Sequence, residues 1–253
     1  MRVEIERVAR VAVISDVHGN APALEAVLRE VEALSPDVVL NLGCLTYGPQ
    51  PREVVALLQA LSVPVLSIRG NGDRAVLEMA DDGRAPHDER AAFVRDAHDA
   101  ATLAMLRTTA ATHELEVTGL GRVVFCHGSP RSDIELVTPE TTPDRLHAAV
   151  SDHPCDVVVT GHTHLQFRRQ LPDLLSIGAG SVGLPYHDGP LGARWAVLGP
   201  EVELRVTAYD LGAAVDAAAR VGLPNPDAWR KVVTAPPTFA EVLADAESRQ
   251  FSD

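Results

Sequence analysis

Aromatic residues are scarce in this 253-residue chain, 4% of the total, so its core must be filled mainly by valine, leucine and alanine. Cysteine is scarcer still. Three residues, an odd number with no paired spacing, argue against a disulfide framework. Positive charge is also short: 22 Lys and Arg face 35 Asp and Glu, for a net charge of −13. That balance argues against broad nucleic-acid or anionic-membrane binding, which needs a basic surface. It leaves room for a small phosphate ester, because bound cations invert a local field. No apolar run approaches the ~18 residues of a membrane span, and Met1-Arg2-Val3-Glu4 opens no signal-peptide core. The expectation is a soluble, cytoplasmic protein in a reducing compartment. What is present in quantity is apolar residues, 46% of the chain, ample for a sizeable core.

Short β-branched runs punctuated by helical spacing fill the first third. A strand over 11–15 leads to a helix from Ala21-Pro22, with Leu24, Val27, Leu28 and Val31 on one face. Strand 38–42, a helix over 51–61 and strand 63–69 complete a βαβαβ pattern, which implies parallel crossovers. Residues 74–112 differ: they read as a helical cap inserted over the active edge, or equally as a surface helical pair with no role in binding. Strands at 113–118 and 121–126, joined by Gly119-Leu120-Gly121, form a hairpin. A helix near 141–150 precedes strand 156–160. Runs at 165–171, 174–178, 193–198 and 202–208 read as antiparallel strands closing a second sheet. From Asp210 a helical tail runs to residue 253, where Phe239, Val242 and Leu243 suit packing on the domain or on a partner helix. No repeat or linker divides the chain, so 1–253 is one domain.

Histidines and polar residues stand at the ends of these runs. Asp16-Val17-His18-Gly19-Asn20 follows the first strand, and Gly70-Asn71-Gly72-Asp73 the third. His127-Gly128 follows Val123–Cys126, and Gly161-His162-Thr163-His164 follows Val157–Val159. Functional groups in open α/β sheets gather beyond the carboxyl ends of strands. Four strand ends therefore deliver one Asp, one Asn and four His to one region, a ligand set for a two-metal hydrolytic centre. Plainer readings exist for single residues. Asp16 could cap the next helix, Asn71-Gly72 is an ordinary turn pair, and His127 could be a satisfied strand-end histidine. His162 and His164 are the hardest to explain as structure. His113, His147, His153 and His187 lack such context; His87 and His98, in the inserted region, are the two that could reach the site.

Asp16-x-His18, Gly43-Cys44, Gly70-Asn71, His127-Gly128 and Gly161-His162-x-His164, in that order across roughly residues 11–210, resemble the calcineurin-like metallophosphoesterase superfamily. Each motif alone is weak; five in order are strong. Ser15 to Asn20, Tyr47-Gly48-Pro49, Gly70 to Arg74 and Tyr209-Asp210 are similar to its compact bacterial phosphodiesterase branch. The resemblance implies an α/β fold, a four-layer αββα sandwich of two mixed β-sheets packed face to face with helices outside. It implies two divalent transition metal ions (Zn, Mn, Fe or Ni), one held by Asp16, His18 and His164, the other by Asn71, His127 and His162. The residue after Gly43 would bridge them. It further implies hydrolysis of phosphoesters, diesters above all, by a metal-bound hydroxide, with Asp16, Asn71 and His162 as candidate catalytic residues. Asn20 and Arg74 are the candidate substrate contacts, Arg74 to a phosphate oxygen or else in a surface ion pair. The expected partner is a small phosphoester, with neither nucleic acid nor membrane; the oligomeric state stays open.

Two positions depart from that pattern. Cys44 stands where an aspartate is expected, and a soft thiolate favours Zn or Fe(II) over Mn or Mg. A thiolate bridge, a weakened or single-metal site, and a degenerate or engineered residue all remain open. So does a disulfide between Cys44 and Cys126 that would block metal, although strand alternation can turn Cys126 into the core. Gly72 replaces a histidine that protonates the leaving group in many superfamily members. Its absence points to activated diesters over alkyl monoesters, since alkoxide leaving groups need more protonation. The alternative function is a catalytically impaired protein on the same fold, acting as a binding scaffold or as a metal or redox sensor.

Overall fold

The computed structural model describes residues 7–252. The chain opens with strands β1 (Arg7–Val8) and β2 (Val11–Ile14), then helix α1 (Ala21–Leu34), β3 (Val38–Asn41), α2 (Pro51–Gln59) and β4 (Val65–Ser67). Asn20 caps α1 through the Ala23 amide, Pro22 suits its first turn, and Ser35 ends it in the left-handed conformation. Three helices follow, α3 (Asn71–Asp81), α4 (Glu89–Ala97) and α5 (Ala100–Arg107). The hairpin β5 (Thr112–Val117) and β6 (Gly121–Cys126) leads to α6 (Pro143–Val150), β7 (Val157–Thr160), β8 (Gln166–Gln170) and β9 (Leu175–Ala179). β10 (Ala193–Leu198) and β11 (Val202–Thr207) precede α7 (Leu211–Arg220), α8 (Pro226–Thr234) and α9 (Phe239–Arg249).

Two mixed sheets result, one ordered β11-β10-β2-β3-β4 and the other β1-β5-β6-β7-β9-β8. β2, β3 and β4 are mutually parallel, as are β6, β7 and β9. Side-chain alternation explains the layers. Val11 and Val13 of β2 face Phe125, Val159 and Ile177 of the opposite sheet, while Ala12 and Ile14 face α1 and α2. In the second sheet Cys126 and Val158 turn outward onto α6. Strands buried on both faces read as unbroken apolar runs, which is why these runs lack polar alternation. This is the expected four-layer αββα sandwich.

One expectation needs correcting. β10 and β11 do not close the second sheet: β10 pairs antiparallel with β2, Ala196 opposite Val13, so both belong to the first. The chain crosses back between sheets after β9 because Trp195, on β10, fills the layer beneath α1. α9 lays Phe239, Val242 and Leu243 against the α6 cluster, so the tail docks on its own domain. Among the described residues, no helix is long and apolar enough to cross a membrane.

Candidate metal centre at the strand ends

The parallel strands end on one side of the sandwich and their loops meet there. Asp16 and His18 follow β2, Cys44 follows β3, and Asn71 opens α3 after β4. His127 follows β6 directly, and His162 and His164 follow β7. Five of these, Asp16, His18, Cys44, His162 and His164, hold positive φ between 48° and 64°. Only three other non-glycine residues among those described do so. The left-handed region costs a non-glycine residue on the order of 1 kcal/mol, and such strain gathers where a fold must aim side chains. Backbone hydrogen bonds between loops hold the strain in place: Asp16 N to Gly43 O (3.0 Å), His18 N to Cys44 O (2.9 Å) and Gly161 N to His127 O (2.8 Å). Two glycines permit the approach. A Cβ at Gly70 would lie 2.7 Å from Cys44 Sγ, and one at Gly161 2.0 Å from Ser15 Oγ.

The functional atoms fall into two touching groups. In the first, Asp16 Oδ1 lies 3.4 Å from His164 Nε2 and 3.8 Å from His18 Nε2, and the two imidazole nitrogens are 3.2 Å apart. In the second, Cys44 Sγ is 3.2 Å from both Asn71 Oδ1 and His127 Nε2. His127 Nε2 is 3.0 Å from Asn71 Oδ1, and the His127 and His162 rings are 5.0 Å apart. Cys44 joins the groups, since its sulfur and ligand atoms of Asp16 and His18 all lie within 4.8 Å of one another.

Ring tautomers decide what this cluster can bind. Nδ1 of His18, His127 and His164 meets the backbone carbonyls of Tyr47 (3.1 Å), Leu42 (2.8 Å) and Leu184 (2.7 Å). A carbonyl only accepts, so each Nδ1 carries a proton, which leaves Nε2 of each ring turned to the centre as the nitrogen a cation would take. Burial, with His164 adding to it, pushes His18 down to about 3, so that ring is neutral at ordinary pH. The short His18–His164 and His127–Asn71 contacts bring ligand-type atoms together in pairs, an arrangement that a cation between them would suit. Asp16 Oδ1 and His162 Nε2 are buried without a hydrogen-bond partner, as atoms facing a cation would be. Asp16 Oδ2, by contrast, accepts from Ser15 Oγ (2.5 Å) and the His162 amide (3.0 Å). Burial works to raise the Asp16 carboxyl, but His164, His127 and His18 outweigh it and hold the group well below the carboxylate range. The residues present thus fit divalent metal.

Cys44 behaves differently from a carboxylate. Burial, then Asp16 and Asp73, push its thiol well above the ordinary value, while the Gly72 amide donates to its sulfur at 3.3 Å. Without a cation it is a neutral thiol; a coordinated metal would drive the opposite way. Cys126 lies on the outward face with its thiol toward the Val159 carbonyl, and all three cysteines are free. The alternation that hides Cys126 removes the disulfide idea.

Other candidates need correcting. Asn20 is no substrate contact: it is buried, caps α1, and donates to the Gly183 carbonyl and the Tyr209 hydroxyl. Capping falls to it and not to Asp16. Arg74 turns to Asp133 (2.7 Å) and Glu78 (2.8 Å), which is the ion-pair reading. His98 is buried with Nδ1 on the Val94 carbonyl, whereas His87 lines the cleft above the ligands.

Three contributors were missed. Asp73, buried, accepts from the Leu45, Thr46 and Gly70 amides and from Thr46 Oγ1, clamping the Cys44 loop to the start of α3. Its signal was an acid three residues after Gly70, a capping-box spacing. Tyr186 stacks on His164, with 4.8 Å between ring centroids. Ser252 lines the cleft beside His162, and its segment is tied to 134–136 by the Ser252 N to Ile134 O and Leu136 N to Gln250 O bonds. Nothing local announces either of these last two.

A family model described as the calcineurin-like phosphoesterase superfamily domain matches residues 10–198. The phosphodiesterase YfcE of Escherichia coli is 26% identical over 185 residues, covering 70% of this chain and 80% of its own. An uncharacterised protein of Methanocaldococcus jannaschii is 28% identical over 162 residues, or 62% of this chain, which spans 63% of that relative's length. The crystal structure of a metallophosphoesterase from Sphaerobacter thermophilus superposes with a TM-score of 0.70 at 26% identity, over 90% of this chain and 99% of that one.

Proposed function

Since the chain belongs to the calcineurin-like phosphoesterase superfamily, we propose that it is a metal-dependent hydrolase of phosphoesters, phosphodiesters first among them. The observation that carries this reading is the convergence of imidazole nitrogens on an orphaned carboxylate oxygen. Asp16, His18 and His164 would hold one divalent ion, and Asn71, His127 and His162 a second, with Cys44 between them. Imidazole with thiolate favours Zn or Fe(II), while Mn and Ni remain compatible with the histidines. Such ions would lower the pKa of a water and draw charge from phosphoryl oxygens. The residues themselves hold geometry: backbone carbonyls fix the ring tautomers, and the strained loops need no reorganisation when substrate arrives. Gly72 offers no proton to a departing oxygen, which favours aryl and other activated esters. A small phosphoester partner, the absence of nucleic-acid and membrane partners, and a cytoplasmic setting complete the proposal.

A cysteine at position 44, where the resemblance calls for an aspartate, favours a second reading, a binding or sensing protein whose bridge is disabled. Hydrolysis of bis(p-nitrophenyl) phosphate by metal-reconstituted protein separates the two. Cys44 and Cys44→Asp are compared across Zn, Mn, Fe(II) and Ni. Comparable turnover in both supports a working thiolate-containing centre. Turnover only in the Asp form gives the second reading, and turnover in neither removes the first.

A further inference from the structure

The floor of the ligand cluster opens into a cleft of about 590 Å³ whose far wall is built by the segment between α3 and α4. Arg84 and Arg90 line that wall beside His87 and Asp88, so a chain of net charge −13 turns two guanidinium groups toward its candidate centre. These groups are not equivalent. Of the five arginines between residues 74 and 107, four are ion-paired: Arg74 with Glu78 and Asp133, Arg84 with Glu78, Arg95 with Asp96, and Arg107 with Asp81. His87 lies 3.7 Å from Asp88. Arg90 is the exception. Its Nε is buried without a hydrogen-bond partner, and among the described residues no carboxylate comes within ion-pair distance.

Carboxylates are not lacking nearby. Asp88 and Glu89 are its sequence neighbours, but Asp88 accepts from the Ala91 amide as the cap of α4. An unmatched, partly desolvated guanidinium costs free energy in the protein alone, a cost that a bound anion would remove. The charge of Arg90 also reaches the cleft. Tyr47, Tyr186 and His18 share the cleft lining with it. Those groups surround the opening over the metal ligands.

We infer that Arg90 is a specificity residue, and that the cleft takes a phosphoester carrying a second anionic group, phosphate or carboxylate, away from the scissile bond. This rests on the phosphoesterase reading. Metal ions held by the ligand cluster would supply positive charge for the reacting phosphoryl group, so a guanidinium on the opposite wall serves a different oxygen. Its planar fork of donors suits a phosphate or carboxylate edge. Helix α4 fixes its position, since Arg90 follows the Asp88 cap by two residues.

Calorimetric titration of the Zn-loaded protein with 4-phosphonobutyrate and with n-butylphosphonate tests this. The two share a phosphonate head and differ in a distal carboxylate. Wild type is expected to bind the carboxylate-bearing probe about tenfold more tightly, as a charge-assisted hydrogen bond would give. Arg90→Gln should bring the ratio below about threefold, and Arg90→Lys should restore part of it. Metal content and melting temperature identify a misfolded variant. An unchanged ratio in Arg90→Gln, or equal affinities in wild type, overturns the inference while leaving the phosphoesterase reading intact. If neither probe binds the loaded wild type, that reading fails and this inference with it.

Discussion

Two regions face the same cleft and are built on different principles. The strand-end loops are buried, strained at five left-handed residues, and held by backbone hydrogen bonds from both sheets. The helices α3 to α5 share a small apolar cluster around Val76, Val94 and Leu106 and carry ion pairs on their exposed faces. The first region fixes atoms to within ångströms, as metal chemistry requires. The second is held by interactions that solvent weakens, and it presents Arg90 as a wall and not as a floor. Rigidity and recognition are thus divided between sheet ends and an excursion from them.

The largest effect is expected where that division is sharpest. Asp16→Asn keeps an acceptor for Ser15 and the His162 amide but removes the charge that the four histidines surround. Activity on an aryl phosphodiester should fall about a thousandfold, or ~4 kcal/mol of transition-state stabilisation, with loss of bound metal. Retained activity within tenfold would place the chemistry elsewhere in the cleft.

Asp73 comes next, because it ties the two regions together. Asp73→Ala strands the Leu45, Thr46 and Gly70 amides. Buried donors without partners cost about 1–3 kcal/mol, so the urea midpoint should drop correspondingly. A variant as stable as wild type would show that the Cys44 loop holds itself.

The tail supplies a subtler test of the floor. His18, His127 and His164 lean on carbonyls from within the sandwich, whereas the His162 ring has Ser252 of the tail beside it on the cleft lining. Ser252 is positioned by the Glu135–Phe251 bridge and by Arg145, which bonds the Gln250 carbonyl at 3.1 Å and Glu135 at 3.3 Å. Ending the chain at Arg249 leaves α9 in place and removes that neighbour. Metal affinity should fall about tenfold, as loss of an outer partner typically gives, with little change in melting temperature. Undiminished affinity would mean that His162 needs no orienting group.

Much of the floor could be read from the sequence because it is local: a β-branched run followed by Asp-x-His or Gly-His-x-His states both strand and candidate ligand in a few residues. Two sheets could be read from the same runs, while the four-layer sandwich followed from the family resemblance that the motifs carry. What escaped was set by distant pairing. No local pattern tells β10 to pair with β2 in place of β9's sheet, since apolar strands buried on both faces look alike. Ser252 lies 90 residues beyond His162 in sequence, and Tyr186 meets His164 only because the chain returns after β9. Asn20 was misread for the opposite reason. Its capping role is local, but the neighbouring ligands made a substrate role look natural.

The smallest effect is expected on the inserted helices. Arg107 holds Asp81 through two hydrogen bonds, Nε to Oδ2 at 2.8 Å and Nη2 to Oδ1 at 2.5 Å. That contact draws the carboxyl below its ordinary 3.8, so any contribution to stability is present above that pH and fades as the pH falls through the folded-state value. Both side chains are open to water, however, and salt screens them. Asp81→Asn should therefore melt with wild type at pH 7 in physiological salt, and the two curves should stay together as the pH is taken below the ordinary carboxyl value. A difference of several degrees at pH 7 that closes on acidification would show that the ion pair holds the inserted helices firmly. The cleft wall carrying Arg90 would then be as rigid as the floor, and the division between the two regions would fall.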